Sequence, residues 1–140
     1  MWDMSKNLGY AFDDDKYNRL VLLFEPTFAT YIDRLVQEKS ALFAGDRHFI
    51  GFYLDNELPF ASYQNADPLR GIDLKHFLSL PERYKAAREY AEKFMRDNGI
   101  ASAGAITKKN QEDFRGMVAD YYYQLTTATV RKYDKEHLIL

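Results

Sequence analysis

Polar residues at the end of an apolar run carry the most specific chemistry in this sequence. Residues 48–54 are apolar and rich in β-forming side chains, and Asp55, Asn56 and Glu57 follow directly. A carboxylic acid at a strand end can protonate the leaving oxygen of a glycosidic bond, while a second carboxylate about 5 Å away attacks if configuration is retained. A neighbouring carboxamide can hydrogen-bond the sugar 2-hydroxyl. The alternative interpretation is a strand that simply reaches solvent.

The segment that positions these residues has the pattern of a helix, a turn and a strand. A helix is predicted to start at Pro26 and stop near Gly45, because proline suits the first helical turn and glycine the end. Its inner side chains recur at helical spacing: Phe28, Ile32, Leu35, Val36, Lys39 and Phe43. Residues 48–54 lack polar alternation, which is typical of a parallel strand covered on both faces. Residues 20–24, upstream, fit either a buried strand or an apolar lead-in to the helix.

Helices are predicted downstream of the strand. Asp73 is expected to cap a short helix through Leu80, and Pro81 to open a longer helix that stops at Asn98-Gly99. The inner residues of this longer helix are Tyr84, Ala87, Ala91 and Phe94.

A long helix over residues 111–133 is predicted to follow, with Thr107 as its N-cap. Its expected inner stripe is Phe114, Val118, Tyr121, Leu125 and Ala128, with one or two rings of residues 121–123 pointing outward. Residues 138–140 open a second apolar strand. Because a free-standing domain seldom ends on an unpaired apolar strand, we expect a truncated domain.

Composition excludes several classes of protein. The 140 residues are 46% hydrophobic with a net charge of −2, so one core is expected and a nucleic-acid partner is not. Without cysteine, disulfides and thiolate catalysis are excluded. No transmembrane run or signal peptide is predicted, and no membrane partner is expected. His48, His76 and His137 lie on different predicted elements, so neither a metal site nor another cofactor is expected.

The strand and its polar end resemble a known family motif. Residues 50–60, Ile-Gly-Phe-Tyr-Leu-Asp-Asn-Glu-Leu-Pro-Phe, resemble the fourth-strand motif of clan A glycoside hydrolases. Agarase-like and β-galactosidase-like barrels show Gly-Tyr-Phe-x-Asp-Asn-Glu-x-Pro-Trp there, and Phe60 replaces the common tryptophan. Residues 25–28, 77–81, 112–116 and 132–138 resemble further parts of these barrels. The resemblance covers most of residues 20–140.

This resemblance implies an α/β fold, a helix-rich fragment of a (β/α)8 TIM barrel with buried parallel strands at about 48–55 and at the C-terminus. Residues 1–140 would be a single partial domain, about half of a barrel of about 250 residues. Residues 58–106 would be an enlarged loop and helical insertion after the fourth strand. The family's nucleophile ends the seventh strand, and none of the 140 residues takes that role.

By this resemblance, the site residues of the family correspond to residues of one short segment. Glu57 would be the general acid/base and Asn56 the ligand of the sugar 2-hydroxyl. The expected substrate-binding residues are Asn56, Asp55, Tyr53, Phe60 and Tyr63.

The predicted function is part of a retaining glycoside hydrolase that acts on a β-linked polysaccharide or a β-galactoside, the isolated chain being inactive. Two alternatives stay open: a non-catalytic, mostly helical interaction module, and a sugar-binding remnant that uses Tyr53, Phe60 and Tyr63. A carbohydrate partner and self-association through exposed apolar faces are expected. The sequence leaves the compartment open, and the resemblance is compatible with a secreted or periplasmic parent enzyme.

Overall fold

The computed structural model describes residues 19–54 and 71–140. In these ranges the elements follow in the order α1 (Pro26–Phe43), β1 (Gly51–Phe52), α2 (Leu74–Leu78), α3 (Lys85–Asp97), α4 (Lys108–Tyr133) and β2 (Leu138–Ile139). Short 3-10 helices lie at Arg19–Phe24, Glu82–Tyr84 and Ala103–Ala105. The described chain is therefore helix-rich with a small two-stranded parallel sheet, as the sequence predicts.

Helix α1 has the predicted bounds. Pro26 occupies the first turn, where its missing N–H is not needed, and Glu25 precedes it with an extended backbone. The helix ends at Phe43, and Gly45 takes a φ of +80°, which glycine adopts without the cost that a Cβ would add. The chain thus reverses into the segment that leads to β1.

The apolar run before α1 is a 3-10 helix rather than a strand. Its four central residues, Leu20, Val21, Leu22 and Leu23, are all buried. The N–H of Glu25 donates to the carbonyl of Leu22 at 3.0 Å, so the run continues into α1 through a turn. The lead-in alternative was therefore right, and the strand alternative was wrong.

Side-chain caps fix the starts of two helices. Asp73 accepts a hydrogen bond from the backbone N–H of His76 at 3.0 Å and begins α2. Thr107 and Asn110 form a reciprocal capping box at the start of α4. Both caps were predicted, although the box adds a partner that the sequence analysis did not name. Helix α3 ends before Gly99, whose φ is +64°.

The helices enclose the core. Phe77 of α2 meets Phe114 of α4 edge to face at 5.2 Å between ring centroids, and Phe94 of α3 meets the same ring at 5.3 Å. The inner residues predicted for the longer helix are buried, namely Ala87, Ala91 and Phe94 of α3 and Tyr84 of the 3-10 helix that precedes it. The core also contains Ile72, Leu74, Leu80 and Val118.

The inner stripe of α4 differs from the prediction beyond Val118. Tyr122 is 3% exposed, whereas Tyr121 is 38% and Tyr123 47% exposed. The buried positions advance by four residues from Phe114 through Tyr122 to Thr126. The placement of Tyr121 on the inner face was therefore wrong, while the expectation of two outward rings is confirmed.

The two strands form a parallel pair. Gly51 lies opposite Leu138, and Phe52 opposite Ile139. Aromatic residues close one side of the pair, where Phe49 stacks on Phe43 of α1 at 4.3 Å and meets the ring of His137 at 5.1 Å. The parallel direction agrees with the prediction.

Cover on both faces of β1, in contrast, is not found among the described residues. Tyr53, Leu138 and Leu140 are 70%, 56% and 66% exposed. By the strand alternation they lie on the same side as Gly51, and the packed helices α1 and α4 cover the other side. Within residues 19–54 and 71–140, no helix combines the length and apolar character that crossing a membrane requires.

Candidate functional site

The predicted acid follows β1, whose pairing with β2 continues as far as Leu54. The N–H of Leu140 donates to the carbonyl of Phe52 at 2.9 Å, and the N–H of Leu54 donates to the carbonyl of Leu140 at 3.0 Å. The carboxyl ends of β1 and β2, as far as the structure describes them, therefore lie side by side. In parallel β/α proteins, side chains that follow such ends share one edge of the sheet, where catalytic groups collect.

One of the predicted site residues belongs to the described chain. Tyr53 directly follows Phe52, the last residue of β1, and is 70% exposed. The other predicted site residues lie outside the described residues: Asp55, Asn56, Glu57, Phe60 and Tyr63. The described chain thus contains the strand that leads into the motif, together with α2 and α3 of the predicted insertion.

A glycine allows the two strands to approach closely. A Cβ added to Gly51 would lie 2.3 Å from the carbonyl oxygen of Leu138 and 2.8 Å from its carbonyl carbon. Both atoms belong to the backbone, so no side-chain rotation relieves the contact. The glycine of the strand motif therefore fixes the spacing of β1 and β2 and, through it, the shape of their common edge.

Asp134 holds the turn between α4 and β2. Its carboxylate accepts the backbone N–H groups of Glu136 at 3.1 Å and His137 at 3.0 Å, and its other oxygen lies 2.7 Å from Nδ1 of His137. The hydrogen bond from the backbone of His137, followed by that from its side chain, lowers the pKa of Asp134 below its ordinary value of 3.8. Arg131 donates to the carbonyls of Asp134 and His137 at 3.2 and 2.8 Å. These contacts set the direction in which β2 leaves the helix.

A second carboxylate ties α1 to the end of α4. Asp33 accepts hydrogen bonds from Lys132 Nζ at 2.7 Å and from the hydroxyl of Tyr133 at 2.8 Å. The bond from Lys132, with that from Tyr133, lowers the pKa of Asp33. These two hydrogen bonds therefore hold α1 against the C-terminal end of α4, a few residues before β2 begins.

An apolar cavity of about 190 Å³ lies between α1, α4 and the end of β1. Its walls include Phe28, Ile32, Phe52 and Tyr122, and Lys39 is the charged residue that lines it. Among the described residues that line this cavity there is no carboxylate.

The histidines do not form a metal site. His48 is exposed, His76 is buried in α2, and His137 is half-buried beside Asp134. Within residues 19–54 and 71–140, no cluster of three or more histidine, aspartate or glutamate side chains could hold a metal ion.

Sequence reasoning missed a cluster of aromatic rings on the opposite side of the helices. Phe24, Tyr90 and Tyr121 meet there, from the first 3-10 helix, α3 and α4. A buried stripe that advances by four residues from Val118 reaches Tyr122 and places Tyr121 on the outer face of α4. That outward position was the signal available in the sequence.

The fold is similar to part of a solved structure. The crystal structure of BpGH50, by its name a family 50 glycoside hydrolase, matches with a TM-score of 0.74 and 24% sequence identity. The match covers 99% of this chain and 30% of that chain. The chain thus has the fold of a segment of that larger protein. No protein-family model matches the chain, and no curated protein sequence matches it.

Proposed function

We propose that this chain is part of a retaining glycoside hydrolase that acts on a β-linked polysaccharide or a β-galactoside. The observation that carries the proposal is the parallel pair of β1 and β2 in a chain whose fold matches a segment of BpGH50. The Asp55-Asn56-Glu57 motif follows Leu54 directly in the sequence. In β/α barrel enzymes, a residue after a strand's carboxyl end is in the position that catalytic groups take.

The proposal includes the barrel itself. Residues 1–140 would be a partial domain of an agarase-like TIM barrel, with β1 as the fourth strand and β2 as the fifth. Residues 58–106 would be the enlarged loop and insertion, to which α2 and α3 belong. Support comes from the parallel order of the strands with helices between them, because parallel neighbours require a long crossover connection.

Glu57 and Asn56 would have different roles in the reaction. In its protonated form, Glu57 donates a proton to the leaving oxygen as the bond to the sugar's anomeric carbon breaks. In the second step its carboxylate takes a proton from the water that releases the sugar from the enzyme. Asn56 would hydrogen-bond the 2-hydroxyl, and Asp55, Tyr53, Phe60 and Tyr63 would contact the sugar. The exposed ring of Tyr53 is compatible with that contact.

We propose that a residue outside these 140 supplies the second carboxylate. Retention requires a nucleophile about 5 Å from the acid/base. No residue of the 140 is assigned this role. The isolated chain is therefore expected to have no measurable hydrolytic activity.

The test is Glu57→Gln in the longest natural polypeptide that carries these 140 residues. We expect hydrolysis of β-linked oligosaccharides with ordinary leaving groups to fall by about 10²–10⁴-fold, since glutamine cannot donate the proton. Release of dinitrophenol from an activated β-glycoside should fall much less in the first step, because this leaving group needs no protonation.

Glu112→Gln is the matched control. Glu112 is an exposed glutamate of α4 that pairs with Lys108 at 3.8 Å, far from the strand ends in sequence. Its substitution should leave both activities unchanged. Unchanged activity in Glu57→Gln would eliminate the acid/base assignment, and a polypeptide that binds oligosaccharide without cleaving it would favour the sugar-binding alternative.

A further inference from the structure

An open groove lies on the surface formed by α3, α4 and the first 3-10 helix. We call it the aromatic groove: Phe24, Tyr90 and Tyr121 form its floor, and the charged residues Glu89, Glu92, Lys93 and Arg96 form its rim. Its volume is about 610 Å³. It involves neither β1 nor β2.

The floor of the aromatic groove consists of three rings in mutual contact. Phe24 stacks on Tyr121 with centroids 5.5 Å apart and 8° between the planes, and it contacts Tyr90 at 4.3 Å. The two tyrosine rings are 5.8 Å apart. The three rings brace one another, so the floor is preorganised and little conformational entropy remains to be lost on binding.

The tyrosines offer polar groups at the same place. Tyr121 is 38% exposed, and Tyr90 is partly buried beside it. Burial raises the pKa of Tyr90 above its ordinary value of 10.0. Each hydroxyl is thus available as both donor and acceptor next to an apolar ring face.

The rim supplies charges that balance each other. Glu89 pairs with Lys85 at 3.6 Å, Glu92 with Arg88 at 3.8 Å, and Lys93 with Asp97. Exposed pairs of this kind are weak, so their groups remain free to bind other partners. Within residues 19–54 and 71–140, Arg96 forms no ion pair. Two acids and two bases therefore border the groove without favouring a charged ligand.

We propose that the aromatic groove binds a neutral oligosaccharide at a place separate from the sheet edge. The apolar C–H face of a sugar ring matches a tyrosine ring face, and its hydroxyl groups match the phenol, carboxylate and guanidinium groups around it. The open shape suits a chain that passes along the surface rather than an enclosed small molecule. This proposal concerns binding without catalysis and does not depend on the role of Glu57.

The experiment titrates the 140-residue chain with neutral hexasaccharides of agarose and of cellulose, using isothermal calorimetry and amide chemical shifts. We expect at least one of them to bind and to shift amides of α3 and of the 118–125 region. Tyr121→Ala should weaken binding about tenfold, because it removes the exposed ring of the floor. Arg96→Gln should weaken it several-fold.

Tyr123→Ala is the matched control. Tyr123 is 47% exposed on the same helix and contacts Tyr122 at 5.2 Å rather than the groove. Its substitution should leave the affinity unchanged. Tyr121→Phe keeps the ring and should retain most of the affinity, which separates loss of the ring from loss of the fold.

Three results would overturn the proposal. The first is absence of binding by both hexasaccharides, and the second is binding that Tyr121→Ala leaves unchanged. The third is saturable binding of a proline-rich peptide at the same amides without binding of either sugar, because extended proline segments also dock on aromatic grooves.

Discussion

The close approach of β2 limits the size of the side chain that β1 can carry at position 51. Replacing it with alanine would press a methyl group into the backbone carbonyl of Leu138, at 2.3 Å from its oxygen. We expect Gly51→Ala to lower the free energy of unfolding by about 1–3 kcal/mol, because β1 and β2 must separate. Urea unfolding followed by circular dichroism measures the change.

Gly116→Ala is the control for this substitution. Gly116 lies within α4, and a Cβ there would meet nothing within 4 Å. Alanine at this position should raise the free energy of unfolding by about 0.5–1 kcal/mol, because it restricts the unfolded chain and favours the helix. Equal effects from both substitutions would contradict the role assigned to Gly51.

Asp134 makes stability depend on acid pH. Its pKa in the folded chain is below the ordinary 3.8, chiefly because the backbone N–H of His137 donates to it. A carboxyl with a depressed folded pKa contributes stability above its unfolded pKa and loses it as the pH falls through the folded value. We therefore expect Asp134→Asn to be less stable than the unsubstituted chain at neutral pH, with the difference shrinking below about pH 3.8.

Thermal unfolding across pH 2 to 7 is the measurement, and Asp120→Asn serves as control. Asp120 is exposed on α4 and makes no hydrogen bond or ion pair to the described residues. Its removal should leave the shape of the acid-range curve unchanged. A difference between Asp134→Asn and the unsubstituted chain that stays constant down to pH 2 would be evidence against the linkage.

At the scale of the elements, the capping box decides where α4 begins. Thr107 Oγ1 accepts the N–H of Asn110 at 3.2 Å, and Asn110 Oδ1 accepts the N–H of Thr107 at 2.9 Å. Thr107→Ala should lower the free energy of unfolding by about 1 kcal/mol. Gln124→Ala, at an exposed position within the same helix, should have little effect, and chemical denaturation distinguishes the two. A loss from Gln124→Ala as large as that from Thr107→Ala would refute the cap's contribution.

Local sequence signals predicted the helices well where a specific residue marks the start of the helix. Pro26, Asp73 and Thr107 begin helices because each satisfies or removes free N–H groups in a first turn. The run at Arg19–Phe24 lacks such a signal and is apolar at every central position, so periodicity could not identify its 3-10 helix.

Tertiary packing determines what the local pattern leaves open. Tyr121 and Tyr122 are adjacent aromatic residues, and only the partners of α4 decide that Tyr122 is buried. The aromatic groove likewise joins Phe24, Tyr90 and Tyr121 from three elements, which no spacing rule connects. At the predicted active site, the sequence correctly placed a parallel strand before the Asp-Asn-Glu motif. The roles of Glu57 and Asn56 remain predictions.

At the scale of the whole molecule, the side of the sheet that no described residue covers is the most consequential surface. Tyr53, Leu138 and Leu140 expose apolar area there, and parallel sheets are normally covered on both faces. We expect the isolated 140-residue chain to self-associate through this side. Sedimentation velocity over a range of concentrations should show a rising weight-average mass, and Leu138→Glu should reduce it.

Leu42→Glu is the control for self-association. Leu42 is 70% exposed near the end of α1 and is not a residue of the strand pair. If apolar exposure alone caused association, both glutamate variants would reduce it equally, whereas the sheet hypothesis predicts an effect of Leu138→Glu alone. A concentration-independent monomer for the unsubstituted chain would disprove the expectation.

The parallel pairing of β1 and β2 also affects how the chain folds during its synthesis. β1 is synthesised well before its partner, and the clamp between Asp33 and Lys132 joins residues 99 positions apart. Until the ribosome has produced residues 138–140, the edge of β1 that pairs with them is open, and such an edge is a template for pairing with other chains. Expression yield should therefore depend on how quickly the chain between β1 and β2 is made and on chaperones that shield a nascent strand.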